Sequence, residues 1–430
     1  MKSFVSDLFS VGISKVLMIL FGLTTSIIVA RTLGPEKNGI IAALMVYPSL
    51  FMSIGSLGIR QSTAYYLGKK IFNERDIKTA ITQIWFMTAF LSVVVCFLLM
   101  RYLSKSGDNL DFVLLALVPI PFSLFATYNT GIFLGKNQIS SFNKINWIPT
   151  LILLLLTGLL VWWLSYGIAG YLIAMIGGPL FISVALLYRN KFASAFSLRF
   201  RWGIIKKMLG LGLIYAFSLL VINLNYKLDV ILLDYLSVPL ETGIYSKGSA
   251  ITQYLWQIPM LLSTIVFARS AVSKDDKAFS YKITQLLRLS LVAIGIGSLV
   301  LFCFSKFIII GMFGESFEGS VSVLNILLPG VLLLTFFKVM NMDLAGKGKP
   351  WVALKAMVPA LIVNIILNFV LIPDYGADGA SFASTISYSL AAIFFLFFYS
   401  KEVGIPVKSI LYYKKSDFIP VFKLIKKLRV

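Results

Sequence analysis

Apolar stretches long enough to cross a bilayer recur along this chain almost from end to end, for example at residues 145–164 and 350–373. A helix rises about 1.5 Å per residue, so roughly 20 apolar residues span the hydrocarbon layer. In that medium every backbone N–H and C=O must be satisfied internally, which leaves only helices and closed barrels. Barrel strands would be shorter and would alternate apolar with polar residues. These runs do neither. With hydrophobic types at 58% and charged types at 13%, the composition also excludes a soluble globular domain. The expected fold class is all-α, a polytopic membrane protein.

Charges, Gly and Pro divide the runs into twelve expected helices, at about 8–31, 39–67, 80–102, 110–134, 142–164, 167–189, 207–235, 241–271, 280–304, 319–345, 350–372 and 377–400. Alternate connections are strongly basic. One set carries Lys69, Lys70, Arg75 and Lys78, then Lys136 and Lys144, then Arg189, Lys191, Arg199, Arg201, Lys206 and Lys207, and continues through Lys277 and Lys347 to a basic C-terminal tail. The other set holds few cations beside acids such as Asp108, Asp234, Glu241 and Glu315. The positive-inside rule therefore places both termini in the cytoplasm. The same rule accounts for the net charge of +21 without nucleic acid as a partner. Lys15 interrupts the first run and no small-residue cleavage site follows it, the pattern of a retained helix. Cys96 and Cys303 lie inside apolar runs, as small hydrophobes and not as a disulfide or metal pair.

The chain repeats itself. Gly135-Lys136 matches Gly346-Lys347, Pro149 matches Pro359, and Tyr166-Gly167 with Gly170 matches Tyr375-Gly376 with Gly379, at offsets of 211, 210 and 209 residues. A weaker match sets LGPEKNGII (33–41) against SVPLETGIY (237–245). Six helices per repeat, each starting on the same side, make a parallel duplication. The expected organisation is a six-helix lobe at 1–200, a second at 201–400, and a basic tail at 401–430 whose Val421, Phe422, Leu424, Ile425 and Leu428 can share one face of an interfacial helix. Two such lobes facing a central cavity would place a substrate site between them.

An ionisable side chain at the bilayer centre costs about 3 kcal/mol on the insertion scale, so those that remain mark function. Lys15, Arg60, Arg269 and Lys338 fall toward the cytoplasmic half, and Lys227 and Lys247 toward the outer half. Only Asp229 and Asp343 are acids of comparable depth. These six cations are the candidate substrate-binding residues of a positively charged path, and Asp229 is the candidate ion-coupling residue. For Arg60, Arg269 and Asp343, near helix ends, snorkelling to the interface is the competing reading. Within NLNYKLDVILLDYL (223–236), Asn223 and Lys227 share one helix face and Asn225 and Asp229 another. Asn129, Asn325, Asn341, Asn364 and Asn368 could line the path or glue helices together. No His occurs, and no metal motif, glycine-rich phosphate loop or large extramembrane segment is present. Catalysis, a metal and a cofactor are not expected.

Ala30-Arg31-Thr32-Leu33-Gly34-Pro35-Glu36 followed by Gly39 resembles a motif of the Wzx-type polysaccharide flippases, members of the multidrug, oligosaccharidyl-lipid and polysaccharide exporter superfamily. Lys227-x-Asp229, Glu241-Thr242-Gly243-Ile244-Tyr245-Ser246 and Trp256-Gln257-Ile258-Pro259 are similar to that family as well. Asn38 and Asp234 depart from it, standing where an aromatic and a Gly are frequent. The resemblance implies a MATE-like fold in a bacterial inner membrane. It implies a flippase that moves an undecaprenyl-diphosphate-linked oligosaccharide repeat unit of O-antigen, capsule or another exopolysaccharide by alternating access. Membrane lipids, polysaccharide polymerase and chain-length proteins are the implied partners, and a proton or sodium ion the implied coupling ion. Three other readings compete: a cation-coupled multidrug or metabolite exporter, which would embed acids; a lipid II flippase, which would carry two further helices; and a non-transporting scaffold of a polysaccharide assembly complex.

Overall fold

Glycines with left-handed backbone mark where the long apolar runs turn. The helix Lys2–Ile54 is broken only at Gly34, with φ 73°, and Val352–Val403 only at Gly376, with φ 51°. In both, an L side chain would be disfavoured, and the chain reverses direction without a long loop. The computed structural model describes residues 2–418 apart from 137, 198, 199, 258, 261–265, 267–269, 271, 272 and 274, and side chains from residue 12 onward apart from 139, 140, 193, 194 and 214. Among the described residues there is no strand. Nine helical stretches among the described residues are long and apolar enough to cross a membrane. Two of them, Gly12–Gly68 and Val352–Val403, are 57 and 52 residues long, about twice what a single crossing needs. Each therefore accounts for two of the expected helices.

The repeat is visible in backbone detail. Gly167 and Gly376, matched in sequence, both take positive φ. A Cβ on Gly170 would collide with the Leu160 carbonyl, and one on Gly379 with the Leu371 carbonyl. Lys136 N–H closes its helix on Ile132 O at 2.9 Å, as Lys347 N–H does on Asp343 O at 3.1 Å. Matched residues thus share a positive-φ glycine, a close glycine–carbonyl approach and a cap.

Two compact units result: Met1–Gly243 with Met312–Ser316, and Ile244–Gly311 with Phe317–Val430. The packing boundary lies past the repeat boundary near residue 200 because the helix Trp202–Leu236 packs within the first unit. There Gly58 and Gly212 meet so closely that a Cβ on either would strike the other strand of backbone. That approach also explains a local difference from expectation. The helix expected at 39–67 stops at Ile54 and restarts at Ile59, with Leu57 and Gly58 both at positive φ. Tyr128 holds the break by donating to Gly55 O at 2.8 Å. Near its C-terminal end the helix Trp202–Leu236 carries Asp234, expected in an outer connection. It is instead 3% exposed, accepting from Ser104 Oγ at 2.6 Å and Ser106 Oγ at 2.7 Å. The apolar core of this unit gathers Leu44, Cys96, Met100, Ile120, Leu124 and Leu172. Phe90 and, in the second unit, Phe307 are 70% and 79% exposed, as the lipid-facing surface of a membrane protein requires. Cys303 is exposed as well, so only Cys96 is a core residue.

In the second unit, small residues let helices approach. Ser381, Ser384 and Ser387 are buried, and a Cβ on Gly330 would press on Thr385 Cα. Phe337 meets Phe395 edge-on at 4.8 Å between centroids. Asp343 does not snorkel. Its carboxylate accepts from Ser270 at 2.6 Å and from Ser280 and Tyr399 at 2.7 Å each, with Lys347 Nζ at 3.1 Å. Four donors saturate it, so it acts as an internal tie between helices.

Gly404, at φ 64°, ends the last long helix. The chain then folds through Val407–Leu411 and Lys415–Phe418 to bring Asp417 against Arg288. Arg288 Nε and Nη2 donate to the two carboxylate oxygens at 2.7 and 2.9 Å, and Nη1 donates to Ile410 O at 2.9 Å. Both side chains are about 5% exposed or less. The Arg288 guanidinium holds the Asp417 carboxyl below the usual carboxylate range, against the opposing effect of burial. Asp417→Ala is expected to cost about 3–5 kcal/mol, since it leaves a buried cation uncompensated. Arg288→Leu with Asp417→Leu should recover most of that loss; a melting temperature unchanged in the single variant would contradict the assignment. Because the folded value is depressed, the pair's contribution is complete above the unfolded value near 3.9 and is lost as pH falls through the folded one. The helix face at 421–428 and the candidate residue Arg269 lie outside the described residues.

Candidate functional site

Alternation along Trp202–Leu236 separates its polar residues onto two faces, as the spacing requires. Asn223 and Lys227 are half-buried, whereas Asn225 and Asp229 are fully buried. The first pair faces the segment after Gly34. Lys227 Nζ donates to Ser49 Oγ at 2.5 Å, and Asn223 Nδ2 donates to Ser53 Oγ at 3.1 Å and to Leu219 O at 2.7 Å. Ser49 and Ser53 are one turn apart, and so are Asn223 and Lys227. Two antiparallel helices therefore meet through a ladder of polar rungs. A hydroxyl is a neutral partner. The positive charge of Lys227 is solvated by Ser49 but not cancelled by it, and the ammonium has three donors to place.

Lys15 is half-buried on the helix Lys2–Ile54, and Arg60 is exposed at the start of Ile59–Gly68.

In the second unit, Lys247 is 9% exposed and Lys338 half-buried. Lys338 Nζ stands 4.4 Å from the centre of the Trp256 ring. The indole is fixed by Nε1 donating to Val331 O at 3.1 Å and by an edge contact with Tyr388. A cation over an indole face gains about 0.5–2 kcal/mol. The Oδ1 atoms of Asn325 and Asn341 are buried and accept no hydrogen bond from the described residues. Asn129 by contrast is committed, with Nδ2 on Phe125 O and Oδ1 accepting from Asn190, and so serves as glue.

The geometry thus seats Lys227 on Ser49 and places Lys338 on Trp256, and shows no contact among the described residues that brings Lys15 and Arg60 together. The supporting Ser49, Ser53 and Trp256 were not among the expected site residues. A signal existed for each: Ser49 and Ser53 are spaced by one turn, and Trp256 opens the Trp-Gln-Ile-Pro stretch. Asp229 is enclosed, with no exposed surface. Among the described residues no group of three or more His, Cys, Asp or Glu is arranged to hold a metal ion.

The profile of a family described as polysaccharide biosynthesis protein matches residues 4–272. An uncharacterized membrane protein of Methanocaldococcus jannaschii is 24% identical over 380 residues, covering 84% of this chain and 89% of its own length. The probable low-salt glycan biosynthesis flippase Agl15 of Haloferax volcanii is 24% identical over 185 residues, which are 41% of this chain and 38% of that protein. Among solved structures, the lipid II flippase MurJ in an inward closed conformation is similar with a TM-score of 0.75 at 16% identity, over 97% of this chain and 92% of that one. An inward-facing multidrug resistance MATE family transporter of the MOP superfamily is similar with a TM-score of 0.72 at 13% identity, over 90% and 94%. At such identities the fold is what is shared.

Proposed function

The chain belongs to the polysaccharide biosynthesis protein family, and on that premise we propose that it is a flippase for an undecaprenyl-diphosphate-linked oligosaccharide repeat unit. The unit would move from the cytoplasmic to the outer leaflet of a bacterial inner membrane by alternating access, in O-antigen, capsule or exopolysaccharide synthesis. The observation that carries this reading is the sign of the embedded charge. Lys15, Arg60, Lys227, Lys247 and Lys338 lie within helices, and the deepest acids, Asp229 and Asp343, are fully enclosed. A diphosphate needs cationic partners, and Lys and Arg supply charge-assisted hydrogen bonds worth more than neutral ones. An exporter of cationic drugs would need the opposite sign. Lys227 is the proposed partner of the diphosphate or a sugar acid.

An inside-negative potential also favours outward movement of an anion, by about 2.3 kcal/mol per charge per 100 mV. Asp229 is the proposed site of a coupling proton or sodium ion, which would reach it only when its surroundings open. Polymerase and chain-length proteins are the proposed partners on the receiving side. The test is leaflet-resolved transfer of a labelled lipid-linked saccharide in proteoliposomes, with carriers bearing a diphosphate or a single phosphate compared. Protein-dependent transfer that prefers the diphosphate is expected; no transfer of either would end the flippase reading. If Asp229→Asn kept the wild-type response to imposed proton and sodium gradients, Asp229 would not be the coupling residue.

A further inference from the structure

The first unit contains a cleft of about 310 Å³ that none of the proposed transport residues enters. Glu74, Lys78, Phe133, Lys136, Arg189 and Lys191 are among its walls. These come from three different helix ends: the start of Glu74–Leu103, the end of Pro119–Gly135, and the end of Gly167–Arg189. Four cations share the cleft with one acid. Its wall therefore carries an excess of three positive charges.

The single acid organises this charge and does not neutralise it. Lys78 Nζ and Lys136 Nζ both bond Glu74 Oε1 at 2.7 Å, so two ammonium groups converge on one carboxylate oxygen. Lys78 also donates to Asn190 O at 2.6 Å, and Asn190 is itself held by Asn129 Oδ1 at 3.0 Å. Each ammonium has three donors, so Lys78 retains one and Lys136 two. The Arg189 guanidinium lies 6.0 Å from the Phe133 ring centre, and no described residue engages its five N–H donors in a hydrogen bond. Lys78, Lys136 and Arg189, each with donors to spare among the described residues, line a concave site and match an oxyanion with several acceptor oxygens. The volume lies at the small end of ligand pockets, which run from about 300 to 1,000 Å³. It suits a phosphorylated headgroup and is too small for a whole oligosaccharide. All of these cations belong to the basic connections that the positive-inside rule assigns to the cytoplasm.

We infer that this cleft is a binding site for a phosphate-bearing group at the cytoplasmic face, separate from the translocation path. The group would come from an anionic lipid of the inner leaflet or from a soluble diphosphate. Binding is read without transport, so the inference stands or falls independently of the flippase reading. The full chain in detergent is titrated with inorganic pyrophosphate, and its retention of phosphatidylglycerol against phosphatidylcholine is counted by native mass spectrometry. Lys136→Gln with Arg189→Gln is compared with wild type and with Lys282→Gln, an exposed cation of the second unit. A tenfold or greater loss of pyrophosphate affinity confined to the double variant identifies a soluble diphosphate site. The same loss of phosphatidylglycerol retention identifies a lipid headgroup site. Should the double variant not fold, Arg189→Gln alone serves, because that side chain is exposed and engages no hydrogen-bond partner among the described residues. Wild type and variants indistinguishable with both probes would overturn the inference.

Discussion

Gly39→Val or Gly243→Val should yield little folded protein and no measurable translocation, although neither residue carries a functional group. A Cβ on Gly39 would run into the Pro239 carbonyl, and a Cβ on Gly243 into the Pro35 carbonyl and the Gly39 amide. These are the matched positions of LGPEKNGII and SVPLETGIY. Each repeat's Gly receives the other repeat's Pro carbonyl, so the weakest of the four sequence matches corresponds to a reciprocal contact. Inserting extra methylenes into a packed site costs about 1–3 kcal/mol when side chains can adjust. Here the obstacle is backbone, which cannot rotate away, and the cost lies at or above that range. Gly22→Ala is the control, since nothing lies within 4 Å of its Cβ position; Ala in place of an interior helical Gly should be neutral or stabilising by about 1 kcal/mol. The comparison needs only melting temperature and monodisperse yield in detergent. Full yield and unchanged melting for both valine variants would show that these helices separate without penalty.

That contact illustrates what a sequence of this kind discloses. Helix positions were legible because the bilayer imposes length and polarity on each crossing, and the helix at Gly167–Arg189 coincides with its expected bounds. The turns at Gly167 and Gly376 were legible as repeated landmarks. The break between Ile54 and Ile59 was not, because glycines such as Gly177 and Gly178 also occur inside unbroken membrane helices. What decides between the two is Gly212, 154 positions away along the chain. The buried acids were hidden for the same reason. Asp234 reads as a charge of an outer connection and Asp343 as one near a helix end, and their partners Ser104 and Ser280 are remote in sequence; Asp417 carries no sequence signal at all, its partner Arg288 being as remote. Composition reports that a charge exists; only packing reports whether it is already satisfied. The same distinction sorts the candidates: Asp343 is engaged by four donors, Lys347 among them, whereas Lys227 meets a neutral hydroxyl.

The sharpest test of that distinction is at Lys227, where Lys227→Gln is expected to slow translocation by about 10- to 100-fold. A hydrogen bond to a charged group is worth about 1.5–3 kcal/mol, and each 1.4 kcal/mol is a factor of ten. The glutamine amide can still donate to Ser49 Oγ but brings no charge to an anion. Lys227→Arg keeps the charge and should retain much of the rate, although a planar guanidinium cannot reproduce the short contact of a compact ammonium. Ser49→Ala removes the neighbour and leaves the cation, so it should lower melting temperature more than rate. If Lys227 instead served only to tie its helix to the segment after Gly34, the order would invert. Ser49→Ala and Lys227→Arg would then harm the protein, and Lys227→Gln would transport like wild type. Rates compared at equal abundance in the same proteoliposomes, beside melting curves for all three variants, separate the two orders. The choice turns on whether the charge or the tether at residue 227 is what transport requires.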